Sequence, residues 1–302
     1  MTVALTGATG FVGQALLDEA AGTDTEIRAL TRREKFARTG VEWVAGDLAN
    51  REALARLVAG SEAVIHVAGV VNAPDNKGFE EGNVAGTLRL VEAAVKAGVP
   101  RFVFVSSLAA REPRLSAYGA SKARAEKLVM ASGLDWTIVR PPAVYGPRDR
   151  EMLDLFRAAR WGVVPMPPEG RASMIHVRDL ARLLLALVPS GEDVTRQLFE
   201  PDDGRDDGWT HGELGRAIGW AMGKRPWVPN LSKGLLERAA KADAMLRGDK
   251  AKLTADRVGY MTHPDWVVSK AKRVPHERWQ PQIATREGLK ATAEWYAEAG
   301  WL

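Results

Sequence analysis

A chain of 302 residues that is 46% hydrophobic and 26% charged has the composition of a globular protein large enough to bury a sizeable core. The complete lack of cysteine excludes disulfides, thiolate catalysis and cysteine-ligated zinc. The net charge of +4 is a mild excess that suits anionic partners, but the basic residues are scattered and form no zinc-finger spacing or RNA-binding aromatic motif, so no nucleic-acid partner is expected.

Met1 to Leu5 run straight into a glycine loop without a signal peptide, and the apolar stretch 180–188 is too short to span a bilayer and carries Arg182; the expected location is cytoplasmic. Residues 3–6 read as a buried strand, 7–10 as its turn and 11–21 as a helix with apolar residues at helical spacing. The alternation recurs, with strands expected over 26–30, 41–45, 63–67, 101–106 and 136–139 and helices over 51–58 and 84–97. This order predicts an α/β chain with a Rossmann-type, doubly wound parallel sheet. After Pro141-Pro142 the texture changes: 148–172 is rich in Arg, Pro and Trp, 177–188 is an apolar helix, 190–208 reads as an acidic loop, and the remainder is mostly helical. The expected organisation is a cofactor domain over 1–147, to which 172–189 return, and a smaller helical substrate lobe over 148–171 and 190–302.

Taken in chain order, the first motif is Thr6-Gly7-Ala8-Thr9-Gly10-Phe11-Val12-Gly13. A glycine turn between strand and helix lets backbone amides and the positive helix end hold a pyrophosphate, which assigns Gly7, Thr9, Gly10, Phe11 and Val12 to cofactor binding. Nineteen positions after Gly13 comes Arg32, in Thr31-Arg32-Arg33, where an NAD site would carry a carboxylate for the ribose 2′-hydroxyl. Two guanidiniums suit a 2′-phosphate, so NADP(H) is expected in preference to NAD(H); the plainer reading is a solvated pair.

Further on, Tyr118 opens Tyr118-Gly119-Ala120-Ser121-Lys122, eleven positions after Ser107. On a helix Tyr118 and Lys122 share a face, and an ammonium near a phenol favours its ionised form. A ketone accepting hydride develops negative charge on oxygen and needs a donor that can surrender a proton. Tyr118 is the candidate acid, Ser107 the second donor, and Lys122 tunes the phenol and can hold the nicotinamide ribose. Ser106 competes with Ser107, and a half-buried helix tyrosine is the plain alternative for Tyr118. The histidines are dispersed, and His176 with Asp179 lacks metal-ligand spacing, so no metal is expected.

These motifs together resemble the extended short-chain dehydrogenase/reductases of the NAD-dependent epimerase/dehydratase superfamily, strongly over the first half of the chain and loosely over the second. The resemblance runs through Thr6 to Gly13, Gly46-Asp47-Leu48, His66-Val67-Ala68-Gly69, Asn83, Ser106-Ser107, Tyr118 to Lys122, Arg140-Pro141 to Tyr145-Gly146-Pro147, and His176-Val177-Arg178-Asp179. It implies that Asp47 binds the adenine with Leu48 on its ring, that Val67, Ala68 and Gly69 back the nucleotide, and that Ser106, Pro141 and Val144 line the cofactor. Asp47 can equally be a turn or cap carboxylate. His66, standing where Asn is commoner, is expected to be structural. Asn83 would hold a backbone kink or relay water to the lysine on the cofactor side; the alternative is a mostly structural residue. The alignment of Phe-x-Phe-x-Ser-Ser favours Ser107 as the catalytic serine.

Within that superfamily the chain looks most like the 3β-hydroxysteroid dehydrogenase, dihydroflavonol reductase and ceramide reductase-like group. The implied activity is the NADP(H)-dependent interconversion of a ketone and a secondary alcohol, on a lipid-like substrate such as a 3-keto sphingolipid or 3-keto steroid. Two alternatives stand beside it: a nucleotide-sugar epimerase or dehydratase, and a non-catalytic NADPH-binding assembly subunit. Eight of ten Trp fall at or after position 161, to pack the lobe or line an apolar pocket. A basic amphipathic stretch, 231–247, can rest on the inner face of an anionic membrane or be an ordinary surface helix. The oligomeric state has no signature in the sequence.

Overall fold

The computed structural model describes residues 1–248 and 251–302. They form two compact units, the first made of Met1–Pro141, Leu180–Glu200 and Val274–Gln280. Its elements are β1 (Thr2–Thr6), α1 (Phe11–Ala20), β2 (Glu26–Thr31), β3 (Val41–Ala45), α2 (Arg51–Val58), β4 (Ala63–His66), α3 (Asn76–Phe79), a π-helical turn (Glu80–Ala85), α4 (Gly86–Lys96), β5 (Arg101–Val105), α5 (Ala117–Met130) and β6 (Asp135–Val139). The second unit opens with β7 (Ala143–Tyr145), α6 (Leu153–Ala159), β8 (Arg171–Ala172) and β9 (Met174–His176). The chain then re-enters the first unit along α7 (Val177–Ala186) to add β10 (Gln197–Phe199).

The described residues of the first unit build a seven-stranded sheet in the order β10-β6-β5-β4-β1-β2-β3, parallel throughout. β4 and β5 are buried along their whole length, the continuous apolar pattern of strands covered on both faces. Leu54 and Leu57 of α2, Leu90 and Val91 of α4, and Phe102 and Phe104 of β5 share one core cluster. Each such side chain contributes about 1.5–3 kcal/mol by leaving water. Because β1 pairs with β2 on one side and β4 on the other, the direction of winding reverses there, and the crevice for a ligand opens at the carboxyl ends of β1 and β4.

The second unit continues with β11 (Trp209–Thr210), α8 (His211–Ala221), α9 (Lys233–Arg247), α10 (Ala255–Met261), β12 (Asp265–Trp266) and α11 (Thr285–Glu298). It is largely helical, with two small sheets, β11-β8-β12 and β7-β9. Its core gathers Tyr145, Phe156, Ile218, Leu289 and Tyr296, with Trp295 and Trp301 packed against them.

Three expectations shift. The segment 190–208 is not all loop: β10 pairs with β6 through Gln197 to Phe199, because the sheet edge supplies hydrogen bonds that a three-residue strand in an acidic segment does not advertise. The boundary falls after Pro141 and not after 147. Residues 174–176 lie in the second unit, since they pair with 143–145, while 190–200 and 274–280 join the first. On α9 it is Leu236 and Ala240 that are buried, against Val258, whereas Leu235 and Leu246 are exposed, so the apolar residues of that stretch do not share one face.

Candidate active site

The loop after β1 is shaped by two glycines. Gly7 has φ 77°, and a Cβ there would stand 2.6 Å from the Ala68 nitrogen; at Gly13 a Cβ would meet the Gly7 carbonyl oxygen at 2.1 Å. Both close approaches let β1, the loop after β4 and α1 meet. Gly10 caps α1 without any side-chain hydrogen bond and the first turn carries no carboxylate, so the amides of Phe11 and Val12 point outward as an anion site beside exposed Thr9 and Gly10. That cradle fits a dinucleotide pyrophosphate.

At the end of β2, the Thr31 hydroxyl donates to the Arg33 carbonyl oxygen at 2.7 Å and turns the chain. Arg32 and Arg33 are both exposed, and neither has a carboxylate partner among the described residues. Asp47 Oδ1 accepts from the Ala49 and Asn50 amides at 2.9 and 3.2 Å, which makes this oxygen a turn cap. Leu48 is half-buried and packs where a Cβ on Gly86 would stand, 2.9 Å away.

His66 closes β4 fully buried. Its Nδ1 accepts from Thr6 Oγ1 at 2.6 Å, and its Nε2 donates to Thr87 Oγ1 at 2.9 Å, a direction fixed because Thr87 itself donates to the Asn83 carbonyl at 2.6 Å. Burial, with the Lys122 charge second, pulls its pKa down to about 3, so the ring is neutral and structural. The Val67 amide donates to the Thr6 carbonyl oxygen at 3.2 Å and the Ala68 amide to Thr6 Oγ1 at 3.2 Å, which pins the loop leading to exposed Gly69.

Asn83 lies in the π-helical turn, where the helix takes up an extra residue. Its amide nitrogen donates to the Val70 carbonyl at 2.9 Å and to Ser121 Oγ at 2.9 Å, and its oxygen accepts from the Val70 amide at 2.7 Å. Both of its donors are spent inside the protein. Asn83 therefore ties the loop after β4 to α5.

Tyr118 and Lys122 sit on α5, which begins where Ser116 caps it through the Gly119 amide at 2.9 Å. The Lys122 ammonium is buried; it donates to the Val105 carbonyl oxygen at 2.8 Å and lies 4.5 Å from the centre of the Phe104 ring. A Cβ on Gly69 would stand 3.6 Å from Lys122 Nζ and 3.1 Å from Asn83 Oδ1, so the loop after β4, Asn83 and the lysine converge. Burial pulls the lysine pKa down to about 8, opposed by the charge of Glu126. Tyr118 is half-buried beside Phe79, ring centres 6.1 Å apart.

The two serines at the end of β5 part company. Ser107 is half-buried and caps the 3-10 turn Leu108–Arg111, its oxygen accepting from the Ala109 amide at 3.2 Å. Ser106 is buried and its hydroxyl donates to Glu126 Oε1 at 2.5 Å, which commits the hydroxyl to α5. Glu126 also receives Arg140 Nε at 2.8 Å and Nη2 at 2.6 Å, and Arg140 in turn lies 3.5 Å from buried Glu200, itself 3.8 Å from Arg111. This buried chain of charges was not foreseen. The signal for it was present: Glu126 stands one helical turn beyond Lys122.

Pro141 ends the first segment of the first unit, its carbonyl accepting from the Leu108 amide at 3.0 Å, and Val144 belongs to β7 of the second unit. Asp179 accepts from the Gln282 and Ile283 amides at 2.9 and 3.0 Å, a structural role. Among the described residues no group of three or more His, Asp or Glu is arranged to hold a metal ion, and no helix is long and apolar enough to cross a membrane.

Residues 3–197 match the NAD dependent epimerase/dehydratase family. A ceramide reductase of Caulobacter vibrioides is 40% identical over 309 residues, covering 99% of this chain and 96% of that protein. A UDP-glucose 4-epimerase of Vibrio cholerae is 26% identical, again across 99% and 96%. Among solved structures, MoeE5 in complex with UDP-glucose and NAD superposes with a TM-score of 0.76 at 24% identity, covering 99% of both chains, a likeness of fold.

Proposed function

Because the chain belongs to the NAD dependent epimerase/dehydratase family, and is an NAD(P)-dependent oxidoreductase of the extended short-chain type, we propose that it reduces a ketone on an apolar, lipid-like substrate with NADPH. The substrate class is a keto-sphingolipid or ceramide, or a 3-keto steroid. The observation that carries the reading is the buried Lys122 ammonium, held on the Val105 carbonyl one helical turn from Tyr118 and beside the loop after β4. NADPH bound in the β1–α1 cradle supplies the hydride.

The residues divide the remaining work. Tyr118 donates the proton to the carbonyl oxygen as it becomes an alkoxide, and Ser107 hydrogen-bonds the same oxygen. Lys122, positively charged below about pH 8, stabilises the phenolate left behind and binds the ribose hydroxyls. Ser106 is set aside because its hydroxyl is engaged by Glu126. Arg32 and Arg33, exposed and without carboxylate partners, meet a 2′-phosphate. Gly7, Gly10 and the amides of Phe11 and Val12 hold the pyrophosphate, with Val67, Ala68 and Gly69 behind the nucleotide and Pro141 toward the nicotinamide.

The identity to a ceramide reductase across nearly both whole chains supports the lipid-like substrate. The family also contains epimerases, and a relative of that name aligns along the whole chain. Purified protein mixed with NADPH and a long-chain 3-keto sphingolipid, a 3-keto steroid or a UDP-hexose separates the readings. Stoichiometric NADPH oxidation with a keto-lipid supports reduction; epimerisation of a UDP-hexose without net cofactor consumption replaces it.

A further inference from the structure

Three tryptophans of the second unit stand in water. Trp161 is 87% exposed, Trp227 is 70% and Trp220 is 43%, although the rings on α11 and beside it are packed away. Single exposed apolar residues are ordinary, but rings of this size gathered in one place are not.

The backbone gathers them. Trp161 ends the turn after α6, its amide donating to the Ala158 carbonyl at 2.9 Å, and Gly162 follows with φ 77°. The Trp227 amide donates to the Gly162 carbonyl at 2.8 Å and its carbonyl accepts from the Val164 amide at 2.9 Å, so the chain at 162–164 runs parallel to that at 227. Pro226 fills the notch over Gly219, where a Cβ would stand 2.1 Å from the proline Cδ, and this presses the turn onto α8 next to Trp220. Backbone pairing thus fixes the platform from which the two most exposed rings project.

The charge carried by these segments has one sign. Exposed Arg160, Arg216, Lys224 and Arg225 lie on these segments, and neither 156–168 nor 214–236 contains an Asp or Glu. α9 differs, because Glu237 and Asp243 are interleaved with its lysines and arginines and Arg247 is 3.2 Å from Asp243.

The geometry points to this tryptophan and arginine surface of the second unit as a docking site for an anionic lipid bilayer, with Trp161 and Trp227 seated at the level of the headgroups and Arg160, Lys224 and Arg225 against the lipid charges. Indole rings favour the membrane–water boundary, where an apolar body and one N–H donor are both satisfied. Basic residues flanking them supply attraction to acidic headgroups, and the two segments themselves carry no carboxylate to oppose it. The surface gives peripheral contact a definite location, apart from α9, and rests on exposure and charge and not on the redox chemistry.

The test is co-sedimentation of the full chain with vesicles of phosphatidylcholine alone or mixed with phosphatidylglycerol, without substrate. Binding is expected only to the mixed vesicles and should fall as salt rises. Trp161→Ala with Trp227→Ala should weaken it by at least about tenfold, and Arg160→Gln, Lys224→Gln and Arg225→Gln together by on the order of 10²-fold. Both variants should keep the far-UV circular dichroism of the unmodified protein and its turnover of a water-soluble ketone, since none of these residues belongs to the candidate active site. No binding to mixed vesicles, equal binding to phosphatidylcholine alone, or binding unchanged in the folded variants overturns the assignment. So does a dimer that the tryptophan substitutions dissolve, which would make a second copy of the chain the occupant.

Discussion

Glu126 accepts the hydroxyl of Ser106 at 2.5 Å, and this one bond separates two adjacent serines that compete in the sequence for one role. Ser106 is bound to the interior and Ser107 is left at the mouth of β5. Ser107→Ala should lower kcat/KM by roughly 10²-fold through loss of a donor to the developing oxyanion, with folding stability little changed. Ser106→Ala should destabilise instead, by about 1–3 kcal/mol from an under-satisfied buried carboxylate, with kcat retained in the folded fraction. Thermal melts and kinetics on both variants check this; the opposite pattern would return the role to Ser106.

Tyr118→Phe removes a proton and leaves a ring of the same shape beside Phe79. Turnover should fall by at least ~10²-fold while NADPH affinity, read by fluorescence titration, stays within a few-fold. Activity near that of the unmodified protein would take Tyr118 out of the mechanism.

The pH dependence follows from Lys122. Burial brings its pKa to about 8, so the ammonium is charged below that pH and lost above it. A mechanism that uses the charge should show kcat/KM declining as pH rises through about 8. Glu126 raises this pKa, so Glu126→Gln, which keeps the shape and can still accept from Ser106, should move the alkaline limb to lower pH. A limb that stays in place would show that Lys122 does not govern it.

Cofactor choice is assigned to Arg32 and Arg33, both exposed at the end of β2. Replacing both by Ala should weaken NADPH by about 3 kcal/mol, roughly 10²-fold, and change NADH little. Equal affinity of the unmodified protein for the two cofactors, measured by calorimetry, would remove the 2′-phosphate contact from the account.

β4 and β5 were legible because each is a short run buried along its whole length, and central parallel strands need that continuous apolar pattern. Helix α5 meets the condition under which Tyr118 and Lys122 share a face, and Ser116, which no motif singled out, caps it. β10 was hidden because the strand is recruited by hydrogen bonds from β6 and not by its own composition. The π-helical turn at Glu80–Ala85 was hidden too, for it is held by Asn83 reaching Val70 and Ser121, contacts that span 13 and 38 positions. The charge chain through Glu126, Arg140 and Glu200 joins α5, the end of β6 and the residue after β10. No local pattern reports contacts of that kind; only the fold brings them together.

The most direct test of the central claim is the fate of hydride from NADPH deuterated at the transferable C4 position, incubated with a long-chain 3-keto sphingolipid. The account predicts one NADPH oxidised per alcohol formed and the deuterium on the new carbinol carbon, with Tyr118→Phe showing neither. Retention of the label on a cofactor that is not consumed, while a UDP-hexose is epimerised, would contradict it.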